Sequence, residues 1–188
     1  MIKNLSATYF NTALQLARDN QPGRAVTTLL KAVNYDSENT EAWNLTGLCH
    51  YRLGNYKSAR YCWQQSLQHA PAENPAACYL NDLNGALSET APWFEEVTSL
   101  CRQKKYGPAA TVFRTKICSC FPPSVHLLNY LGVLKMLEGK PKEAGKCWSD
   151  ALSLDKENAD AVRYLNELEN RLSYRLSRLT EKIFIRNV

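Results

Sequence analysis

The sequence of 188 residues has no long apolar run. Its apolar stretches are a few residues long, whereas a helix that crosses a bilayer needs about 20 consecutive apolar residues. The amino-terminal residues also lack the apolar core of a signal peptide. We therefore expect a cytoplasmic protein with no transmembrane segment.

Sequence motifs of common catalytic sites are missing as well. The sequence has no glycine-rich phosphate loop, no dinucleotide-binding glycine motif, no His-Glu-x-x-His and no Gly-x-Ser-x-Gly. The three histidines, His50, His69 and His126, lie far apart in the chain. Neighbouring acidic residues such as Glu95 and Glu96 point to different faces of a helix. These absences predict a protein that is not an enzyme and needs no cofactor.

The seven cysteines do not form a metal-binding pattern. They include no Cys-x-x-Cys pair, and the only close pair is Cys118 and Cys120. Because their number is odd and no export signal is recognised, we expect free buried thiols rather than disulfides. No metal site is expected.

Positive and negative charges nearly balance over most of the chain. The sequence carries 23 Lys and Arg against 18 Asp and Glu, a net charge of +5, but residues 1–170 contribute only +1 of it. The last 18 residues contribute +4. Their basic residues are Arg171, Arg175, Arg178, Lys182 and Arg186. The basic character therefore belongs to the tail rather than to the whole protein.

A 34-residue repeat is the strongest positive signal in the sequence. In the unit over residues 40–73, small and aromatic residues recur at fixed positions: Trp43, Gly47, Gly54, Tyr56, Ala59, Trp63 and Pro71. Small residues let two helices cross closely, an aromatic fills the gap to the next unit, and a glycine ends the first helix. The pattern predicts a helix-turn-helix unit.

Similar units recur along the chain. We predict an all-α, right-handed α-solenoid over residues 1–158, with units near 6–39, 40–73, 90–124 and 125–158. A lone helix over 74–88 is expected to interrupt the array and bend it into two modules. Residues 159–188 are expected to form a long capping helix with a basic tail.

These spacings resemble the tetratricopeptide repeat (TPR), and the layout resembles small TPR proteins of Gram-positive anaerobic bacteria. The second resemblance includes two short segments, Asn74-Pro75-Ala76 and Arg163-Tyr164-Leu165. Resemblance to TPR proteins implies a concave groove, lined by the first helix of each unit, that binds a peptide or a protein partner. It does not imply a particular partner.

Eight residues at groove-lining positions are the candidate contacts: Phe10, Arg18, Asn44, Tyr51, Arg52, Phe94, Arg102 and Asn129. Three of them form a row of arginines at one repeat position, which suits a peptide with carboxylate or aromatic side chains. Alternatively, each arginine only stabilises the end of its helix through the helix dipole. The residues with which chaperone-binding TPR proteins hold a terminal Asp are not matched, so a chaperone tail is not expected.

The last helix is predicted to overhang the array, because its apolar seam continues past the length that a capping helix needs. The overhanging seam consists of Leu172, Leu176, Leu179 and Ile183. A second copy or another partner would cover it. The adjacent basic face could instead bind an anionic membrane or nucleic acid, or stay solvated on a helix that folds back.

Taken together, the sequence predicts a non-enzymatic protein-interaction module that acts through the groove. One alternative is a surface-associating protein that uses the basic helix to bind nucleic acid or anionic membrane. The other is a homodimeric scaffold built on the same helix.

Overall fold

The computed structural model describes residues 2–171, a stretch that contains helices and no strands. Its nine helices are numbered in chain order. They are α1 (Ile2–Arg18), α2 (Pro22–Tyr35), α3 (Thr40–Leu53), α4 (Tyr56–His69), α5 (Ala76–Arg102), α6 (Tyr106–Val112), α7 (Val125–Leu137), α8 (Pro141–Leu154) and α9 (residues 159–171). One π-helical turn, Phe113–Ile117, continues α6. Each helix packs on the next along the chain, so the fold is the all-α solenoid that the repeat predicts.

Close helix crossings occur where the repeat places glycine opposite tryptophan. Gly47 in α3 lies against the indole of Trp63 in α4, and a Cβ at this glycine would overlap the ring. Gly132 in α7 lies in the same way against Trp148 in α8. Both indoles are at most 3% exposed. The missing side chain of each glycine therefore makes room for the largest side chain of its hairpin.

The first helix of each well-matched unit ends at a glycine in the left-handed conformation. Gly54 has φ 89° and follows α3, and Gly139 has φ 86° and follows α7. An L-residue with a side chain rarely adopts this backbone conformation, so glycine fixes the position of the turn into the second helix.

Helix α5 differs from the sequence prediction. The repeat spacing predicts a lone helix over 74–88 and a new unit from about Thr90, whereas the structure has one continuous helix of 27 residues. Pro92 lies inside it and removes only the hydrogen bond to the carbonyl of Ser88, an exposed residue whose carbonyl water can solvate. Gly85 also lies inside this helix without interrupting it, so the helix continues through both residues.

The length of α5 sets the two halves of the array at different levels. At about 1.5 Å per residue it is roughly 40 Å long, about twice the length of α3 or α4. Its first half packs on α4 and its second half on α6. We call α1–α4 with the first half of α5 the first module, and the remaining helices the second module.

The turns of the first module meet the interhelical loops of the second. Tyr56, which follows the α3–α4 turn, stacks on Phe121 at 4.8 Å between ring centroids. The backbone N–H of Lys156 donates to the carbonyl of Asn20 at 3.0 Å. An ion pair between exposed Arg24 and Glu157, at 3.3 Å, lies beside it. The chain is therefore a staggered pair of modules rather than one smooth curve.

Within residues 2–171, no helix is long and apolar enough to cross a membrane. All seven cysteines are free thiols. Cys49 and Cys62 are both buried, and burial raises the pKa of the Cys49 thiol to about 12.

The close crossing of α3 and α4 predicts a strong effect of a single methyl group. Gly47→Ala should lower the free energy of unfolding by about 1–3 kcal/mol, because the new Cβ would displace the Trp63 indole. Urea denaturation followed by circular dichroism measures the change.

The matched control is Gly85→Ala in α5, where a Cβ would meet nothing within 4 Å. This substitution should raise the free energy of unfolding by about 0.5–1 kcal/mol, because alanine favours a helix. Equal effects of the two substitutions would contradict the proposed crossing.

Candidate functional site

The two modules contain copies of one three-helix motif at an offset of 85 residues. Residues 40–86 and 125–171 carry the same residue at 13 of 47 positions. The shared residues include the glycine and tryptophan of the crossing, the glycine of the turn, and a tyrosine and leucine in the third helix. These pairs are Gly47 and Gly132, Trp63 and Trp148, Gly54 and Gly139, Tyr79 and Tyr164, and Leu83 and Leu168. The second copy can therefore be compared with the first, position by position.

Asparagines predicted to line the groove connect consecutive repeats. The Asn44 amide donates to Asn74 Oδ1 at 3.0 Å, and the Asn129 amide donates to Asn158 Oδ1 at 2.9 Å. Asn158 Oδ1 also accepts the backbone N–H of Ala161 near the start of α9. The Oδ1 atoms of Asn44 and Asn129 are buried, and among the described residues they have no hydrogen-bond partner. Each asparagine thus has a structural role and one unused acceptor.

The two copies differ where the first helix faces the third. In the first copy the Tyr51 ring lies 5.8 Å from Trp63 and 5.5 Å from Tyr56. Burial, and to a smaller extent the charge of nearby Asp82, raise the pKa of the Tyr51 phenol. In the second copy the corresponding residue is Met136. An aromatic ring of the first copy is therefore replaced by a flexible thioether.

A cavity of about 200 Å³ opens in the second copy between α7, α8 and α9. Its lining residues are Val133, Met136, Leu137, Trp148, Tyr164, Glu167, Leu168 and Arg171. Most of the lining is apolar, with one carboxylate and one guanidinium. Leu137 is 51% exposed beside the cavity. This combination of an apolar lining with few polar groups is typical of binding sites.

The three arginines of the predicted row have different surroundings. Arg52 is half-buried and donates a 2.6 Å hydrogen bond to Asn20, at the junction between the modules. Burial raises the pKa of the nearby Asp155 carboxyl, and the positive charge of Arg52 has a smaller, opposite effect on that pKa. Arg18 is exposed at the end of α1. Arg102 is exposed at the far end of α5, beyond the level of the first module.

Two predicted phenylalanines are partly buried. Phe10 packs against the core cluster that contains Ala13 and Leu29. Phe94 meets Phe113 edge to face, with 6.3 Å between the ring centroids. Both side chains therefore contribute to helix packing in addition to any contact with a ligand.

Most of the predicted basic helix lies outside the described residues. This applies to the seam residues Leu172, Leu176, Leu179 and Ile183, and to the basic residues Arg175, Arg178, Lys182 and Arg186. Arg171, the first residue of the predicted basic face, lies within α9 and lines the cavity.

Sequence reasoning did not single out the cavity. Met136 and Leu137 are not among the eight candidate groove contacts, and their neighbours Tyr164 and Glu167 come from a helix that the sequence predicts only as a cap. The 85-residue offset is the signal that could have found the site, since it aligns Met136 with Tyr51 and Glu167 with Asp82.

No group of three or more metal-ligating side chains forms within residues 2–171. Burial lowers the pKa of His50, which favours its neutral form. Burial also raises the pKa of the Cys62 and Cys118 thiols to about 11. Thiols with pKa values raised in this way are poor nucleophiles near neutral pH.

The helix-turn-helix units and their Gly–Trp crossings give the chain the fold of a tetratricopeptide-repeat (TPR) solenoid. The family model "Tetratricopeptide repeat" matches residues 40–73, the unit with the full set of repeat positions. No curated protein gives a significant match to the chain.

The solved structures to which the chain is similar have low sequence identity to it. The TPR domain of P58(IPK) has a TM-score of 0.53 at 17% identity, and the match covers 89% of this chain and 46% of that one. The chain thus spans less than half of that structure's length. MamA (residues 41 to the end) from Desulfovibrio magneticus RS-1 has a TM-score of 0.38 at 17% identity, with coverages of 89% and 85%. YrrB, described as a TPR protein with an unusual peptide-binding site, has a TM-score of 0.36 at 18% identity, with coverages of 82% and 89%.

Burial predicts an order of cysteine reactivity. At about pH 8, iodoacetamide should modify exposed Cys78 first, while Cys49 and Cys62 react at least roughly tenfold more slowly, because burial suppresses their thiolates. Mass spectrometry of tryptic peptides over a time course measures the rates. In concentrated urea all seven cysteines should react, whereas equally fast labelling of Cys49 and Cys78 in the native protein would contradict the packing of α3 on α4.

Proposed function

We propose that the protein is a non-enzymatic interaction module that binds a peptide or an extended segment of a protein partner. The proposed site is the groove of the second module around the cavity between α7 and α9. The observation that supports it is an open apolar cavity where the first copy of the motif holds the Tyr51 ring. TPR solenoids in general present concave surfaces of this kind to their partners.

The position of the site differs from the arginine row expected from the sequence. Arg52 already donates to Asn20 at the junction, so its use by a ligand would require loss of that contact. The cavity needs no such change, because Leu137 is already half-exposed at its edge. An apolar surface left open to solvent favours association with a partner that buries it.

Other functions predicted from the sequence have less support. The basic residues that would bind nucleic acid or an anionic membrane lie mostly in the segment 172–188, outside the described residues. Homodimerisation through the same segment and the cytoplasmic location stay predictions. A chaperone tail is not the expected ligand, because the residues that would hold its terminal carboxylate are not matched in the sequence.

Mutation of the exposed groove residue tests the proposed site. Peptides selected on the full-length protein from a random phage-displayed library should bind Leu137→Glu at least about tenfold more weakly, because a carboxylate would have to be buried with the ligand. Fluorescence polarisation with a labelled selected peptide measures the dissociation constants.

Leu30→Glu is the matched control, since Leu30 has a similar exposure of 44% but lies on α2. It should leave peptide binding unchanged. Urea denaturation confirms that both variants are folded. Selection of no peptides, or undiminished binding to Leu137→Glu, would rule out the second-module groove as the binding site.

A further inference from the structure

We propose that the cavity between α7 and α9 is a receptor for one aromatic side chain of the partner, with tyrosine preferred. This inference rests on the proposed function and specifies the ligand chemistry of the same site. It follows from the internal duplication, because the first copy already holds a tyrosine ring, its own Tyr51, at the equivalent place.

The first copy shows how the motif accommodates a phenol ring. Tyr51 lies 5.8 Å from Trp63, which in turn lies 5.3 Å from Tyr79. All three rings are tilted rather than parallel, an arrangement that aromatic side chains favour. Asp82 in the third helix is close enough for its charge to raise the pKa of the Tyr51 phenol.

The second copy keeps the tryptophan that packs against the ring and the tyrosine behind it, whereas Pro141 replaces Tyr56, the other ring neighbour of Tyr51. Trp148 and Tyr164 correspond to Trp63 and Tyr79, and their centroids lie 5.1 Å apart, close to the 5.3 Å of the first copy. Met136 replaces Tyr51 and lines the cavity. An aromatic ring supplied from outside would thus meet a tryptophan that is packed on a tyrosine in the same way as the tryptophan beside the Tyr51 ring.

The size of the cavity matches one side chain. Its volume of about 200 Å³ is below the roughly 300–1,000 Å³ of pockets that enclose a drug-sized molecule. One ring from a peptide therefore suffices to fill it, while half-exposed Leu137 at its edge offers apolar surface to the flanking residues of the peptide.

The polar lining residues favour tyrosine over phenylalanine. Glu167 corresponds to Asp82, lines the cavity, and offers a carboxylate that accepts a hydrogen bond from a phenol hydroxyl. Arg171 also lines the cavity, where the first copy has Ala86. A guanidinium near the face of an aromatic ring is attracted by the ring's electrons.

Met136 provides a direct spectroscopic probe, because the sequence has only one other methionine, Met1. With methyl-carbon-13-labelled methionine in the full-length protein, addition of N-acetyl-L-tyrosinamide should give a saturable ring-current shift of the Met136 methyl signal. N-acetyl-L-leucinamide should bind at least about tenfold more weakly. Glu167→Gln should weaken binding of the tyrosine probe but leave binding of N-acetyl-L-phenylalaninamide unchanged.

Filling the cavity tests the inference with peptides. Met136→Tyr should weaken binding of the selected peptides by at least about tenfold, because the new ring takes the place of the ligand's ring. The urea midpoint of this variant should stay equal or rise, which separates loss of binding from loss of folding. The selected peptides should be enriched in tyrosine.

The outcomes separate this inference from the proposed function. If Leu137→Glu abolishes peptide binding while Met136→Tyr does not, or if the peptides lack aromatic residues, the groove binds peptides but the aromatic receptor is wrong. If Leu137→Glu has no effect, the proposed function itself fails. A Met136 signal that depends on protein concentration without a ligand would assign the cavity to a second copy. A signal that moves on Tyr174→Leu without a ligand would assign it to the chain's own tail, and either result would overturn the inference.

Discussion

The close contact of a glycine with a buried indole is the constraint on which each module depends. At Gly47 and at Gly132 the absence of a side chain lets the helix rest on the face of a tryptophan from the next helix. The indole N–H of each tryptophan donates a 3.3 Å hydrogen bond to the backbone carbonyl of the groove asparagine, Asn44 in the first copy and Asn129 in the second. Helix spacing, the position of the asparagine and the link to the next repeat therefore all follow from one crossing.

The same constraint explains which parts of the structure the sequence predicts. Gly47, Gly54 and Trp63 have roles that only those residue types fill, so their spacing predicts both helices of the unit and the turn between them. The boundary near Thr90 could not be predicted in this way, because continuity of α5 depends on the tolerance of a long helix for Pro92 at a solvated turn. Repeat spacing contains no information about that tolerance.

The contacts that individual groove residues make could not be predicted from the sequence, for a related reason. A groove position fixes which way a residue points but not which partner it meets. The side chains of Asn44 and Asn129 are hydrogen-bonded to the following repeat, and the Arg52 guanidinium is hydrogen-bonded to Asn20 in the first turn of the array. The cavity arises from a difference between two copies of a motif, Tyr51 in one and Met136 in the other, and such a difference is visible only when the copies are aligned.

The staggered junction changes how the solenoid holds together. In an ordinary repeat array each unit touches only its neighbours, so the ends can fray without disturbing the centre. Here Arg24 contacts Glu157, 133 residues further along the chain, and the turn after α1 is hydrogen-bonded to the loop before α9. Loss of the first hairpin would thus expose the loop that supports the last helix. The sequence is a series of repeats, but the fold also has contacts between its first hairpin and the loop before its last helix, as a globular domain does. We therefore expect the first hairpin and α9 to unfold together.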